Sequence, residues 1–336
     1  MKTALILEGG AMRGMFTSGV LDVFMENDIR FDGAAGISAG AVFGCNFKSG
    51  QIGRAIRYNK KYCRDPRYCS IWSLLRTGDL YGADFCYREL PDVLDPFDRV
   101  AFAKNTLEFY LGATDIKTGK PVYHKCTDGG KTDMEWLRAS ASMPMVSRPV
   151  RVDGYMLLDG GIADPVPYRY MEGLGFDRNI IILTQAKGYR KKKSRMAPLL
   201  SIALRRYPNV AAAMKERHLC YNRQMEEIDR RESSGQSLVI RPPETLGIGR
   251  TENNPDELER VYQMGRREGT MQLESVRSFI GASAKLTQRP LRAPLRPVQH
   301  PESRILSVHH KGRRRSLRPS RCRRHLPPAH PCRQGG

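Results

Sequence analysis

The sequence predicts an α/β protein: a mostly parallel central sheet flanked by helices, followed by a C-terminal helical extension and a disordered tail. Two observations carry this. The first fifty residues spell strand, turn, helix twice over, which is the opening of a parallel α/β sheet. Further on, the apolar run Asn179–Gln185 reads as a strand buried on both faces.

Thr3–Glu8 is apolar and branched like a buried strand, and after the small residues Gly9–Gly14 an apolar pattern predicts a helix to about Asn27. Phe31–Ile37 reads as a second strand and Ser38–Phe47 as a small-residue helix. Tyr58–Phe85 reads as a helical cover packed on the core, in preference to a lid or membrane-facing surface. Thr106–Thr114 and Pro121–Lys125 form a hairpin pair, Asp133–Ser142 a helix, and Val150–Leu158 one strand. Lys187–Arg195 is a basic surface loop. The pattern from Ala197 to Glu232 is helical with a break near Pro208, Ser237–Ile240 is a last short strand, and Asp256–Ile280 a long terminal helix. The predicted division is therefore a core over 1–185, an extension over 186–280 packed on it, and a tail over 281–336.

The chain has 336 residues, 40% hydrophobic and 27% charged, enough for a sizeable core. No window holds 18 consecutive apolar residues, and the apolar run before Glu8 is too short for a secretory signal, so the expected compartment is the cytoplasm. The eight Cys form no CxxC pair and read as reduced thiols. The formal charge of +21 suggests nucleic acid until it is divided along the chain. The last 56 residues hold 14 Lys/Arg against one acid, a net of +13, with no Phe, Trp or Tyr. Such a segment cannot bury enough apolar surface to order itself. An Arg-rich arm on phosphates is one reading. The favoured reading is translation of a GC-rich gene in a shifted frame, so no specific nucleic-acid partner is expected.

The sharpest motif is Gly36-Ile37-Ser38-Ala39-Gly40, a GxSxG between a predicted strand and a predicted helix, which is the setting of a nucleophile elbow. Flanking glycines let a tight turn lift the Ser38 hydroxyl to a helix N-terminus, where negative charge is favoured. The second is Gly9-Gly10-Ala11-Met12-Arg13-Gly14, again between strand and helix, whose N–H groups at Gly10, Ala11 and Met12 can face an anion. A dinucleotide loop is disfavoured because Ala11 stands where GxGxxG needs Gly, and no Lys-Ser/Thr pair follows. An oxyanion hole uses the same physics. No cofactor or metal is called for.

A base for Ser38 is less obvious. Outside the tail only His124 and His218 occur, and both read as structural, so a Ser-His-Asp triad is poorly supported. Three Asp-Gly pairs remain. Asp32 begins the strand that ends at Ser38, roughly 20 Å away at about 3.3 Å per residue. Asp128 has the setting of a turn. Asp159, with Gly160 and Gly161, follows the apolar run Tyr155–Leu158 and sits at a strand's C-terminal end, where open sheets place their ligands.

The sequence GGAMRG, GISAG and DGG, in that order, resembles the patatin-like phospholipases. The resemblance covers roughly residues 1–185, and the body to about 280 looks like a bacterial patatin-like protein with its own helical extension. It implies a three-layer α/β/α fold, Ser38 as nucleophile, Asp159 as base of a Ser-Asp dyad, and the Gly9–Gly14 backbone as oxyanion hole. An acyl lipid, phospholipid or lysophospholipid, is the substrate class it implies, with peripheral contact at the inner surface of an anionic membrane. The chain departs from the family at Ala11, where a third Gly is usual; the methyl is expected to narrow the approach and to reduce or redirect activity. The competing expectations are a weakly active member with a regulatory or membrane-binding role, and a dinucleotide-dependent oxidoreductase.

Overall fold

The computed structural model describes residues 2–193 and 204–281. The predicted tail and the first part of the 197–232 helical stretch therefore lie outside the described residues. An eight-stranded sheet forms the centre. Its strands are β1 (Thr3–Leu7), β2 (Gly33–Ile37), β3 (Glu108–Asp115), β4 (Pro121–Lys125), β5 (Val150–Val152), β6 (Tyr155–Asp159), β7 (Arg178–Ile182) and β8 (Ser237–Ile240). β8, β7, β1, β2 and β3 run parallel in that spatial order. β4 and β6 both pair antiparallel with β3, and β5 pairs with β6.

Alternation along β1 divides the core. Leu5 and Leu7 point to one face, where α1 (Gly14–Glu26) and α2 (Ala39–Ser49) pack, while Ala4 and Ile6 point to the other, against Val166, Tyr168 and Met171. The second face is closed by α7 (Tyr168–Gly173) and by α8 (Pro208–Ser233), which brings Tyr221, Met225 and Ile228. The result is helix, sheet, helix.

The extension is part of this core. β8 extends the sheet beside β7, and α9 (Pro255–Phe279) lies along α1 at backbone contact. A Cβ on Gly265 would stand 1.9 Å from the Phe16 carbonyl oxygen, and one on Gly19 would stand 2.1 Å from that of Tyr262. The Tyr262 hydroxyl donates to Asp22 at 2.7 Å across the same contact.

Two expectations are corrected. Val150–Leu158 is two strands rather than one, because Asp153 (φ 48°) and Gly154 (φ 78°) take left-handed conformations and make a two-residue hairpin turn. Tyr58–Phe85 is both cover and surface. It takes in the end of α3 (Arg54–Tyr62) and all of α4 (Ile71–Thr77), and a π-helical segment follows over Phe85–Leu94, with α5 (Arg99–Lys104) beyond it. Tyr58, Tyr62, Tyr68 and Phe85 are buried, whereas Ile71, Trp72 and Leu75 of α4 are 72%, 56% and 82% exposed. Six cysteines, Cys45, Cys63, Cys69, Cys86, Cys126 and Cys220, are free thiols. No helix among the described residues is long and apolar enough to cross a membrane.

Candidate active site

Ser38 sits between β2 and α2 with φ 54° and ψ −120°, a strained combination for a residue bearing a side chain. The turn is held from three sides. Its carbonyl accepts the amides of Ala41 and Val42 at 3.0 Å, and its N–H donates to the buried Ser140 hydroxyl at 2.9 Å. Ser140, in α6 (Lys131–Ser140), in turn donates to the Gly112 carbonyl of β3 at 2.6 Å. Gly40 is required because a Cβ there would lie 2.4 Å from the Leu7 carbonyl oxygen, and Gly36 packs as closely against Gly40 and Ala41. The half-buried Ser38 side chain opens into a cavity of about 900 Å³.

Asp159 ends β6 with 2% of its surface exposed. Its position relative to Ser38 follows from register. In β3, residues 110–114 pair with β4, residues 108–112 with β2, and residues 113–115 with β6. Each strand residue has only two lateral neighbours, so β2 and β6 occupy the same side of β3 and meet end to end. Ile37 is opposite Gly112 and Asp159 is opposite the next residue, Ala113. One Asp159 oxygen accepts the Gly161 N–H at 2.7 Å; the other, Oδ2, is buried with no conventional partner among the described residues. Burial pushes the carboxyl above its ordinary range, while Arg217 and then the Ser38 hydroxyl act to keep it ionised.

The Gly9–Gly14 loop lies against this pair: a Cβ on Gly9 would be 2.9 Å from the Ser38 Cβ. Glu8 fixes its start, accepting the Thr184 amide at 2.6 Å and the Tyr221 hydroxyl at 2.9 Å. Residues 11–13 form one 3₁₀ turn in which Arg13 N–H donates to the Gly10 carbonyl and Gly14 N–H to those of Ala11 and Met12. This corrects the expected donor set, because the Arg13 and Gly14 amides are spent within the chain. The amides of Gly10, Ala11 and Met12 donate to no protein acceptor among the described residues. Ala11 has φ 49°, a left-handed conformation that costs a side-chain-bearing residue about 1–2 kcal/mol. Ala39, the first residue of α2, lines the same cavity, and its N–H, which the motif alone did not single out, donates to no protein acceptor among the described residues.

The other candidates are elsewhere or apart. Asp32 accepts the Thr3 amide at 2.7 Å at the opposite sheet end. Asp128 caps the Gly130 amide at 2.8 Å. His124 Nε2 is 2.7 Å from Asp133 and its ring stacks on Trp136. His218 lines the cavity, but no hydrogen bond joins it to Ser38. Asp133 already accepts three backbone amides besides His124, so the nearby Cys126 and His124 do not form a convincing metal centre.

Sequence reasoning missed Arg217, whose Nε donates to the Gly161 carbonyl at 2.6 Å. It lies in a helix dense in charged residues, where nothing in the pattern distinguishes it. Lys191 is also corrected: in the expected surface loop, it instead stands over the Tyr221 ring at 4.4 Å and lines the cavity.

Residues 5–171 match the family described as patatin-like phospholipase, and residues 207–281 a domain of unknown function, DUF6363. The chain is 27% identical over 323 residues to the uncharacterized protein YjjU of Escherichia coli, covering 91% of this chain and 85% of that protein. It is 25% identical to lysophospholipase nte1 of Aspergillus oryzae, covering 82% of this chain but 18% of the fungal protein. It likewise spans about half (48%) of an NTE family protein of Mycobacterium tuberculosis at 29% identity. The crystal structure of VipD from Legionella pneumophila aligns over 82% of this chain and 67% of its own, with a TM-score of 0.40 and 13% identity.

Proposed function

The chain belongs to the patatin-like phospholipase family through residues 5–171, and from that premise we propose that it hydrolyses the acyl ester of a lipid through a Ser38–Asp159 dyad. The observation that carries the reading is the end-to-end meeting of β2 and β6, which sets a strained serine beside a buried carboxylate with an unfilled oxygen. A lysophospholipase among the relatives supports the lipid class.

Asp159 accepts the Ser38 proton as Oγ attacks the ester carbonyl carbon, and the carbonyl electrons move to an oxyanion facing the Gly10, Ala11 and Met12 amides. Collapse of this intermediate breaks the ester C–O bond, and the leaving alkoxide takes the proton from Asp159. The acyl group remains on Ser38. Water, giving its proton to Asp159, then attacks the acyl-enzyme; collapse releases the fatty acid and returns the proton to Ser38. Burial suits Asp159 to this task because it raises a carboxylate's basicity. Tyr58, Tyr68, Tyr87 and Leu90 provide an apolar wall for an acyl chain, and the exposed α4 residues Ile71, Trp72 and Leu75 give a surface for peripheral contact with a membrane.

The test is hydrolysis of a fluorescent phospholipid and a p-nitrophenyl ester by the full chain, by Ser38→Ala and by Asp159→Asn. Activity that falls at least about a thousandfold in both variants supports the dyad. Activity untouched by Ser38→Ala excludes it and brings forward the regulatory reading.

A further inference from the structure

The cavity at Ser38 is charged unevenly. Arg54, Arg138 and Arg190 reach it already paired, with Asp95, Glu135 and Asp229 respectively. Arg13, Lys191, Arg217 and Arg250, together with the exposed Lys192, also line it, and among the described residues none of them has a carboxylate within 4 Å; the one acid in the lining, the buried Asp79, accepts the Arg148 amide at 2.7 Å. Arg13, Lys191, Arg217 and Arg250 come from four separate places: the Gly9–Gly14 loop, the segment after β7, α8, and the loop between β8 and α9. Each acts electrostatically on its neighbours. Arg13 and Arg250 both oppose the charge on Arg217, and all three oppose that on Lys191. The Arg13 Nε is buried without a hydrogen-bond partner.

Four converging cations raise one another's energy unless an anion joins them. Burial and the neighbouring Arg217 push Lys191 down to about 7, with Glu8 opposing and Arg13 and Arg250 reinforcing the drop. Glu8, hydrogen-bonded to Thr184 and Tyr221, favours the charged forms of Lys191 and Arg217, but its single negative charge cannot balance four cations. Asp159 is the other acid near Arg217, and its single charge leaves the cluster with a surplus. Tyr58, Tyr68, Tyr81 and Tyr87 also line the cavity; Tyr68 and Tyr81 meet edge to face at 5.8 Å, and the Tyr81 hydroxyl donates to the Arg250 carbonyl at 3.0 Å, so the cavity has an aromatic part that adjoins its cationic part.

We propose that Arg13, Lys191, Arg217 and Arg250 form a headgroup pocket selecting acyl lipids of net negative headgroup charge over zwitterionic choline or ethanolamine lipids. This rests on the hydrolase reading for its substrate but not for its binding site. A phosphate alone shares the chemistry; the aromatic part of the same cavity favours the lipid, because an anion carrying an acyl chain fills both parts. An ammonium beside the phosphate would be driven into the field of four cations, which costs the zwitterion most of what its phosphate gains. Three of the four cations lie beyond residue 185, so the extension, rather than the core motifs, sets the selectivity.

The experiment measures binding to the full-length Ser38→Ala variant, which separates the pocket from catalysis. Titration calorimetry with water-soluble dihexanoyl phosphatidate, dihexanoyl phosphatidylcholine and inorganic phosphate supplies the three arms. The expected result is at least tenfold tighter binding of the phosphatidate than of either other ligand. Lys191→Gln and Arg250→Gln, each placed on the Ser38→Ala background, should bring that ratio toward one. Arg30→Gln, which removes one exposed charge elsewhere, should leave it in place. Equal or tighter binding of the choline lipid overturns the proposal, as does inorganic phosphate binding as tightly as phosphatidate. A preference that survives both pocket variants also overturns it. If wild-type protein hydrolyses none of these lipids while the binding preference holds, the hydrolase reading fails and the pocket stands.

Discussion

Ser38 and Asp159 are neighbours because the strands that carry them, β2 and β6, end against each other on the same side of β3, opposite Gly112 and Ala113. Nothing in the chain order requires this, since more than a hundred residues separate the two. The antiparallel β6 is what turns the second residue back toward the first, and the Thr114 hydroxyl fixes its end by donating to the Asp159 carbonyl at 2.8 Å.

The Ser140 hydroxyl connects Ser38 to β3 by two hydrogen bonds and is fully buried. Ser140→Ala leaves the Ser38 N–H and the Gly112 carbonyl without partners. A loss of about 1–3 kcal/mol in stability is expected by denaturant titration, with a fall in kcat as the turn loosens. Unchanged stability and kcat would mean the turn holds itself.

Ala11 is strained at φ 49°, and Gly there removes the penalty. Ala11→Gly is expected to raise the melting temperature by about 2–4 °C, for about 1 kcal/mol gained, without lowering kcat. A drop in both would show that the methyl is packed usefully.

Arg217 is the strongest influence keeping Asp159 ionised against its burial. In the proposed mechanism Asp159 acts as base only as the carboxylate, so activity is expected to fall as pH drops through its titration. Arg217→Gln raises that titration further, and the acid limb of kcat/KM moves to higher pH. The variant therefore loses proportionally more activity at pH 6 than at pH 8. A loss equal at every pH would assign Arg217 to the Gly161 carbonyl alone.

The contact of α9 with α1 has no room for a side chain at Gly265. Gly265→Ala forces the two helices apart and is expected to destabilise by on the order of 3 kcal/mol, read by thermal and denaturant unfolding. Since α9 packs directly on the core, the whole described body should unfold in one transition. A separate early transition would show that the extension is an independent unit.

Much of this was legible in the sequence, for physical reasons. β1, β2, β7 and β8 are mostly apolar because both sheet faces are covered, and Ser38 and Asp159 announce themselves through glycines that the close packing requires. The loop's free amides at Gly10, Ala11 and Met12 followed from small residues before a helix. The Asp153-Gly154 hairpin was hidden by apolar residues on both sides, although Asp-Gly is a strong turn pair. The short helices between Arg54 and Lys104 lack a long period to detect. Lys191, Arg217 and Arg250 come from distant, highly charged segments, and only the fold shows that they share a cavity with Ser38.

The most direct measurement is covalent labelling of the full-length protein with a fluorophosphonate probe, followed by intact-mass and peptide mapping. A single adduct on Ser38, absent in Ser38→Ala and strongly slowed in Asp159→Asn, is the predicted result. An adduct on another serine, or labelling at Ser38 whose rate is indifferent to Asp159→Asn, would contradict the dyad.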